Sequence, residues 1–349
     1  MRTLSSAVLG ERDNEGELSR AASATPPQTQ FSSVDPWVLV LAGGDGMRLR
    51  ELTSAIAGTP MPKQYCRILG GRSLLEATLD RAERLASRER TLVIINRDHL
   101  DVARDQLRSV APDNVLIQPC NRDTGPGLLF ALLHLARRDP DATVAVFPSD
   151  HYIGDGRGLA PYVEQAVRIV TRLPTKVVIL GVHPDRPEPG FGYITPGQPL
   201  GGGTMKPAAF RVEAFAEKPT ADAARVLLAQ GGLWNSFVMV FRVRRMIELL
   251  RTVRRRDFDR MRTVCDRPSA TPEVYETLDR WNFSSHFLVR IVPNLVVLRV
   301  DDLHWNDWGT PESIYHTLKM LNHTPPWMLP AAVRTGSSRT QEMQPLTIQ

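Results

Sequence analysis

Short continuous apolar runs alternate with amphipathic stretches through the first half of the chain. Val38 to Leu41, Leu92 to Ile95, Val115 to Ile117, Val144 to Phe147 and Val177 to Leu180 are rich in β-branched residues. That is the pattern of strands covered on both faces. Between the first two, Ser73-Leu74-Leu75-Glu76 has capping-box spacing, and Leu75, Leu79, Ala82 and Leu85 or Ala86 then recur on one helical face. Asp123 or Thr124 is placed to cap a second helix over about 127–136. Strands joined by crossover helices predict an α/β unit with a mostly parallel sheet, whose ligands gather at the carboxyl ends of the strands, in the loops after Leu41 and Phe147. From about 190 to 300 the pattern loosens. Strand-like runs at 209–215, 237–242 and 295–300 surround helical segments near 220–229 and 243–253, and these extend the same sheet. Thr310-Pro311-Glu312 is a helix start.

Residues 1–35 lack either hydrophobic period and are rich in Ser, Ala, Thr, Pro and Gln, so a disordered leader is expected there. The folded body is expected over 37–322, with a flexible tail over 323–349. With 349 residues, 42% of them apolar, the chain can fill a sizeable core without staples. The net charge of +5 is too small for its length to imply nucleic-acid binding, though anionic small molecules remain suitable partners. Three widely spaced cysteines, Cys66, Cys120 and Cys265, give neither a disulfide framework nor a zinc cluster. No apolar run approaches the roughly 20 residues of a membrane span. A cytoplasmic protein with no membrane partner is the expectation.

The segment richest in chemistry is Leu41-Ala42-Gly43-Gly44-Asp45-Gly46-Met47-Arg48-Leu49, followed by Pro60-Met61-Pro62-Lys63-Gln64. Three glycines directly after a buried strand let main-chain amides approach a polyphosphate, and Arg48 and Lys63 supply opposing charge. Competing motifs fail on detail: a dinucleotide fingerprint needs Gly where Leu49 stands, and a P-loop needs Lys followed by Ser or Thr.

Together these motifs resemble the signature of the sugar-1-phosphate nucleotidyltransferases, GGxGxRL followed by PK, and Gln64 is typical of the mannose-1-phosphate guanylyltransferase branch. Further matches occur in the family's order. Gln118-Pro119 with Asn121 to Gly127 is similar to EPxxRNTAPA, Phe147-Pro148-Ser149-Asp150-His151 with Ile153 to PSDHxI, and Gly190-Phe191-Gly192-Tyr193-Ile194 to GYGYI. Phe215-Ala216-Glu217-Lys218-Pro219 matches FxEKP, Trp234-Asn235-Ser236 begins WNSG, and Trp305 to Gly309 resembles WSDVG.

The resemblance implies a Rossmann-like three-layer fold and transfer of a nucleoside monophosphate from a triphosphate, GTP in this branch, to mannose 1-phosphate. It assigns Leu41, Ala42, Gly43, Gly44, Gly46 and Thr124 to the nucleotide, Arg48 and Lys63 to catalysis, and Gly192, Glu217, Lys218 and Asn235 to the sugar phosphate. Asp150 and Asp307 are assigned to one Mg²⁺, which favours one or two carboxylates plus phosphate oxygens. Asp150 follows the strand ending at Phe147, and Asp307 is expected to follow the one at 295–300. Alone, an Asp at a strand end is more often a turn former, and an adjacent Glu and Lys a solvated pair. Tyr193 reads more readily as a buried aromatic, Arg251 to Arg262 as a solvated helical face, and Cys66 as a buried thiol.

The sequence departs from the family pattern at five positions. Phe237 replaces the Gly of WNSG, Trp308 the Val of WSDVG, Gly125 and Gly127 two alanines, and Asp123 an Asn. The first two add bulk beside the sugar and metal positions and bear on sugar identity rather than reaction type. Alternatives are another sugar and triphosphate pair, such as glucose 1-phosphate with UTP, dTTP or CTP, or a non-catalytic sensor of the same fold. Dimerisation is left open.

Overall fold

A computed structural model describes residues 35–154, 158–203, 208–266, 271–301 and 303–329. The expected leader, apart from Asp35, and the tail beyond 329 lie outside the described residues. The strands are β1 (Trp37–Leu41), β2 (Thr91–Asn96), β3 (Val115–Gln118), β4 (Thr143–Pro148), β5 (Tyr152–Ile153), β6 (Val177–Val182), β7 (Gly192–Pro199), β8 (Ala209–Glu217), β9 (Leu233–Arg242), β10 (Leu295–Val300) and β11 (Trp305–Asn306). Nine of them form one sheet in the order β3-β2-β1-β4-β9-β6-β10-β8-β7. Only β8 and β9 run against the rest, so the sheet is mixed and mostly parallel in direction.

β1 shows why its pattern was continuous rather than alternating. Val38 and Val40 enter one hydrophobic cluster and Trp37 and Leu39 another, because helices cover both faces of the sheet. On one side lie α1 (Leu74–Ala82) and α2 (Leu159–Arg172), and on the other α3 (Thr124–Arg138), α4 (Val243–Val253) and α5 (Arg255–Asp266). Ser73 and Glu76 form the expected capping box on α1. α3 starts at Thr124, earlier than the periodicity indicated, because Asp123 caps it from a left-handed backbone (φ 72°). Within the arginine-rich stretch the solvated reading needs correcting at one position. Arg254 turns inward, 2.8 Å from the buried Asp257 and stacked over Trp281 at 4.6 Å.

A third, smaller cluster of Leu49, Ile68, Tyr152, Trp308, Ile314 and Leu318 joins the glycine-rich region to α6 (Pro311–Met320), which begins at the Thr310 cap. Its centre is the stack of Trp308 on Tyr152, 5.0 Å apart and 8° from parallel. Trp308 adopts φ 47°, and its fully buried indole donates to Thr317 Oγ1 at 3.0 Å. Its bulk therefore fills this cluster.

Candidate active site

A cleft of about 580 Å³ opens where β1 and β4 end, and it is lined by every residue singled out above for the site except Ala42. Ala42 lies beneath the glycine loop, where its carbonyl accepts bonds from Gln64 Nε2 (3.0 Å) and Tyr65 Oη (2.8 Å). Gln64 also donates to Gly44 O at 2.7 Å, so this residue braces the loop from below. Gly46 has φ 62°, and a Cβ there would stand 2.9 Å from Lys63 N, which explains why glycine is needed where the two motifs meet. Asn96, at the end of β2, donates to Gly43 O at 2.7 Å and to Asp45 Oδ1 at 3.0 Å. Gln118 reaches Asn96 from the end of β3 and accepts from Tyr275 Oη at 2.8 Å.

The two aspartates are brought together by a ladder too short to leave a sequence period. β5 and β11 pair antiparallel, Tyr152 with Asn306 and Ile153 with Trp305, which sets Asp150 and Asp307 beside the same end of the ladder. Asp307 thus follows β11 and not, as expected, the longer strand β10. Lys63 lies between them and is only 6% exposed. Its Nζ is 3.2 Å from Asp150 Oδ2 and donates to the main-chain carbonyls of Asp307 (2.6 Å) and Trp308 (3.2 Å). All three ammonium protons thereby have protein acceptors. Arg48 is exposed, and its Nη1 and Asp307 Oδ2 flank Gly309, each within about 3.1 Å of where a Cβ would be.

Packing around Asp150 would raise its carboxyl, but Lys63 and His151 more than reverse this and hold it below the usual range, ionised at neutral pH. Burial lowers His151 despite the neighbouring Asp150, so the ring is neutral. Its Nδ1 accepts from Trp305 Nε1 at 3.3 Å, which places the remaining N–H at Nε2, 3.7 Å from Asp150 Oδ1.

At the other end β7 pairs with both β8 and the start of β9, so Gly192, Glu217 and Asn235 converge. A Cβ on Gly192 would be 2.6 Å from Glu217 Oε2 and 3.3 Å from Asn235 Cβ. Glu217 Oε2 is buried with no hydrogen-bond partner, and burial raises this carboxyl, with Lys218 opposing and Asp307 adding to the shift. Lys218 is exposed beside it in a left-handed conformation (φ 49°). Asn235 is already engaged: Oδ1 accepts from Phe237 N at 3.0 Å and Nδ2 lies 3.4 Å from Ser284 Oγ. Tyr193 is fully buried, its hydroxyl accepting from Glu188 N at 2.8 Å. Cys66 is also buried, which pushes its thiol up to about 11.

A wall that no motif announced is formed by Arg280, Asn282 and Ser284. It is fastened to the start of α3 by Gly125 N to Trp281 O (3.1 Å) and Phe283 N to Thr124 Oγ1 (2.9 Å). The Thr124 hydroxyl is thus an anchor for this wall as well as a lining group. A Cβ on Gly125 would lie 2.1 Å from the Trp281 ring, which accounts for glycine in place of the family's alanine. The polar Asn282, whose side chain caps the next turn, was the one local signal of this segment.

Comparison with known proteins agrees with this geometry. Xanthan biosynthesis protein XanB of Xanthomonas campestris pv. campestris (strain B100) is 35% identical over 216 residues, 61% of this chain and 43% of that protein. Mannose-1-phosphate guanylyltransferase of Escherichia coli (strain K12) is 32% identical over 228 residues, 62% of this chain and 45% of that one. The chain spans about half the length of the curated relatives it matches. Among solved structures, a protein of Thermus thermophilus described as mannose-1-phosphate geranyltransferase superposes with a TM-score of 0.71 at 28% identity, covering 84% of this chain and 81% of that one. The family model for nucleotidyl transferases matches residues 37–323, from the first strand through the last site loop, and the chain belongs to the nucleotidyl transferase family.

Proposed function

We propose that the chain transfers a nucleoside monophosphate from GTP to mannose 1-phosphate, forming GDP-mannose and releasing pyrophosphate, as a cytoplasmic enzyme of nucleotide-sugar biosynthesis. The observation that carries this reading is the pair of aspartates clamped by Lys63 beside a glycine loop, with a buried, unpartnered carboxylate oxygen on Glu217 in the same cleft. A phosphate oxygen of the sugar phosphate forms the new bond to the α-phosphorus while the bond to the β-phosphate's bridging oxygen breaks, so no covalent nucleophile is required. Gly43, Gly44 and Gly46 let main-chain amides meet the triphosphate, Arg48 faces it with charge, and Thr124 lies toward the base. Lys218 serves the sugar phosphate, Glu217 accepts from sugar hydroxyls, and Asn235 lends its remaining N–H.

The donor set fits Mg²⁺. Asp150 and Asp307 offer carboxylate oxygens, and no group of three or more His, Cys, Asp or Glu among the described residues could hold a metal without substrate oxygens. When bound, the ion would neutralise charge developing on the phosphates. The test is pyrophosphate release with Mg²⁺ across four nucleoside triphosphates crossed with mannose and glucose 1-phosphates. Release requiring GTP and mannose 1-phosphate, and lost in Asp150→Ala and Asp307→Ala, is expected. Turnover of another pair would replace the substrates, and nucleotide binding without turnover of any pair would sink the enzymatic reading.

A further inference from the structure

Phe237 stands where the strand β9 is locally broken. The register against β6 shifts between Ile179 and Gly181, and Phe237 takes φ 61°, a conformation that strains a bulky L-residue but not glycine. The break is held on both sides: Asn235 Oδ1 accepts Phe237 N at 3.0 Å, Ser236 Oγ accepts Val238 N at 3.2 Å, and the same hydroxyl donates to Leu180 O at 2.6 Å. Such a bulge would form more readily with glycine, so what Phe237 adds at this position is its side chain. Its ring meets Phe283 edge-on, 6.0 Å between centroids at 70°, and Phe283 packs in turn on Phe287 at 4.8 Å. Yet Phe237 is only partly buried and its remaining surface lines the cleft, two residues from Asn235.

We infer that Phe237 is a specificity-determining residue: its ring is the apolar wall of the sugar end, and it selects an unsubstituted hexose 1-phosphate over one enlarged by an N-acetyl group. The inference rests on the proposed transfer reaction. Two kinds of surface meet in this part of the cleft. Glu217, with its unpartnered oxygen, and Gly192, which permits close approach, suit the hydroxyl-bearing edge of a pyranose. The flat ring of Phe237, stiffened by Phe283, suits its C–H surface, and occupies volume that a glycine would leave open. A pocket filled in this way discriminates by excluding size, the means by which apolar sites reject larger substrates.

The test compares wild type with Phe237→Gly, which removes ring and strain together, and Phe237→Leu, which keeps apolar bulk without a flat ring. With GTP and Mg²⁺, kcat/KM is measured for mannose 1-phosphate and N-acetylglucosamine 1-phosphate, and calorimetry gives the affinities of the full chain for GDP and GDP-mannose. Phe237→Gly is expected to narrow the preference for the unsubstituted sugar by about tenfold, mostly through the KM of the sugar phosphate, with Phe237→Leu intermediate. The advantage of GDP-mannose over GDP should shrink in parallel. An unchanged sugar ratio in an active Phe237→Gly enzyme, whatever happens to its melting temperature, would show that the ring only packs and overturn the inference. If wild type turns over no pair, the transfer reading fails and binding alone decides. An advantage of GDP-mannose over GDP that is lost in Phe237→Gly upholds the role of the ring, and equal affinities in the two proteins remove it.

Discussion

Replacing Lys63 by Met should separate the architecture of the site from its chemistry. The substitution keeps the length of the buried stem but removes the ammonium that joins Asp150 to the main chain of Asp307 and Trp308. A hydrogen bond from a charged donor contributes about 1.5–3 kcal/mol, and here two carbonyls lose theirs. The pair with Asp150 adds less, about 1 kcal/mol, because that carboxylate is 43% exposed and water can replace its partner. Because neighbouring contributions are not additive, the expected loss is about 3–5 kcal/mol, a large share of a typical 5–15 kcal/mol stability. Urea denaturation at neutral pH measures it. Asp150 is held low in the folded protein, so its part of the stabilisation is complete above the unfolded value near pH 4 and fades as pH falls through the folded value. The gap between wild type and Lys63→Met should therefore narrow in acid by about 1 kcal/mol, leaving the carbonyl part. Asp307→Ala is the contrast: its bond to Lys63 uses the main-chain oxygen, so it should lose activity while giving up only the bond its half-buried carboxylate accepts from Gly309 N at 2.8 Å, about 1.5 kcal/mol. A Lys63→Met protein within 1 kcal/mol of wild type would refute the clamp.

Three further perturbations address separate links. Glu217→Gln removes a carboxyl whose value burial raises, a group whose contribution to stability is present below about pH 4 and lost as pH rises, so the variant should be more stable than wild type at neutral pH in thermal denaturation while its KM for the sugar phosphate rises about tenfold or more. Gly192→Ala should push Glu217 aside, since its methyl would sit 2.6 Å from Oε2, raising the sugar-phosphate KM more than that of the triphosphate in steady-state assays. Gly125→Ala restores the family's residue and improves helix propensity, yet should destabilise by about 1–3 kcal/mol in urea because the methyl meets the Trp281 ring, and Trp281→Leu should recover part of that loss.

How far the sequence could be read depended on whether a feature is local. β1 and the glycine loop are contiguous, and the run of apolar residues, the left-handed Gly46 and the brace from Gln64 lie within one stretch of chain. The capping box at Ser73 was equally legible. β5 and β11 were not, because two residues carry no period and the pairing joins segments about 150 positions apart. The wall at 280–284 was missed for the same reason, since its fastenings to Thr124 and Gly125 are long-range. Trp308 misled because residue size was legible but direction was not. Its left-handed backbone sends the indole onto Tyr152, into the third cluster.

Direction also explains where the backbone is strained. Of six non-glycine residues with positive φ among the described residues, Asp123, Lys218, Phe237 and Trp308 line the cleft. Each such position costs about 1–3 kcal/mol and persists only when the surroundings over-determine it. The surroundings here do so. Asp123 caps α3, Lys218 N is tied to Phe191 O at 3.2 Å, Phe237 N to Asn235 Oδ1, and Trp308 N to Asn306 Oδ1 at 2.9 Å. Three of these positions are tied to an Asn two residues earlier, in Asn121-Arg122-Asp123 (2.7 Å), Asn235-Ser236-Phe237 and Asn306-Asp307-Trp308, so the same local device sets bends at the start of α3, beside Asn235 and beside Asp307. The bend at Trp308 orients the loop carrying Asp307, and the bend at Phe237 presents a ring to the cleft. Glycine would relax either position at the expense of the ring that packs there, Phe237 on Phe283 and Trp308 on Tyr152, so at both the backbone strain is coupled to a packed side chain.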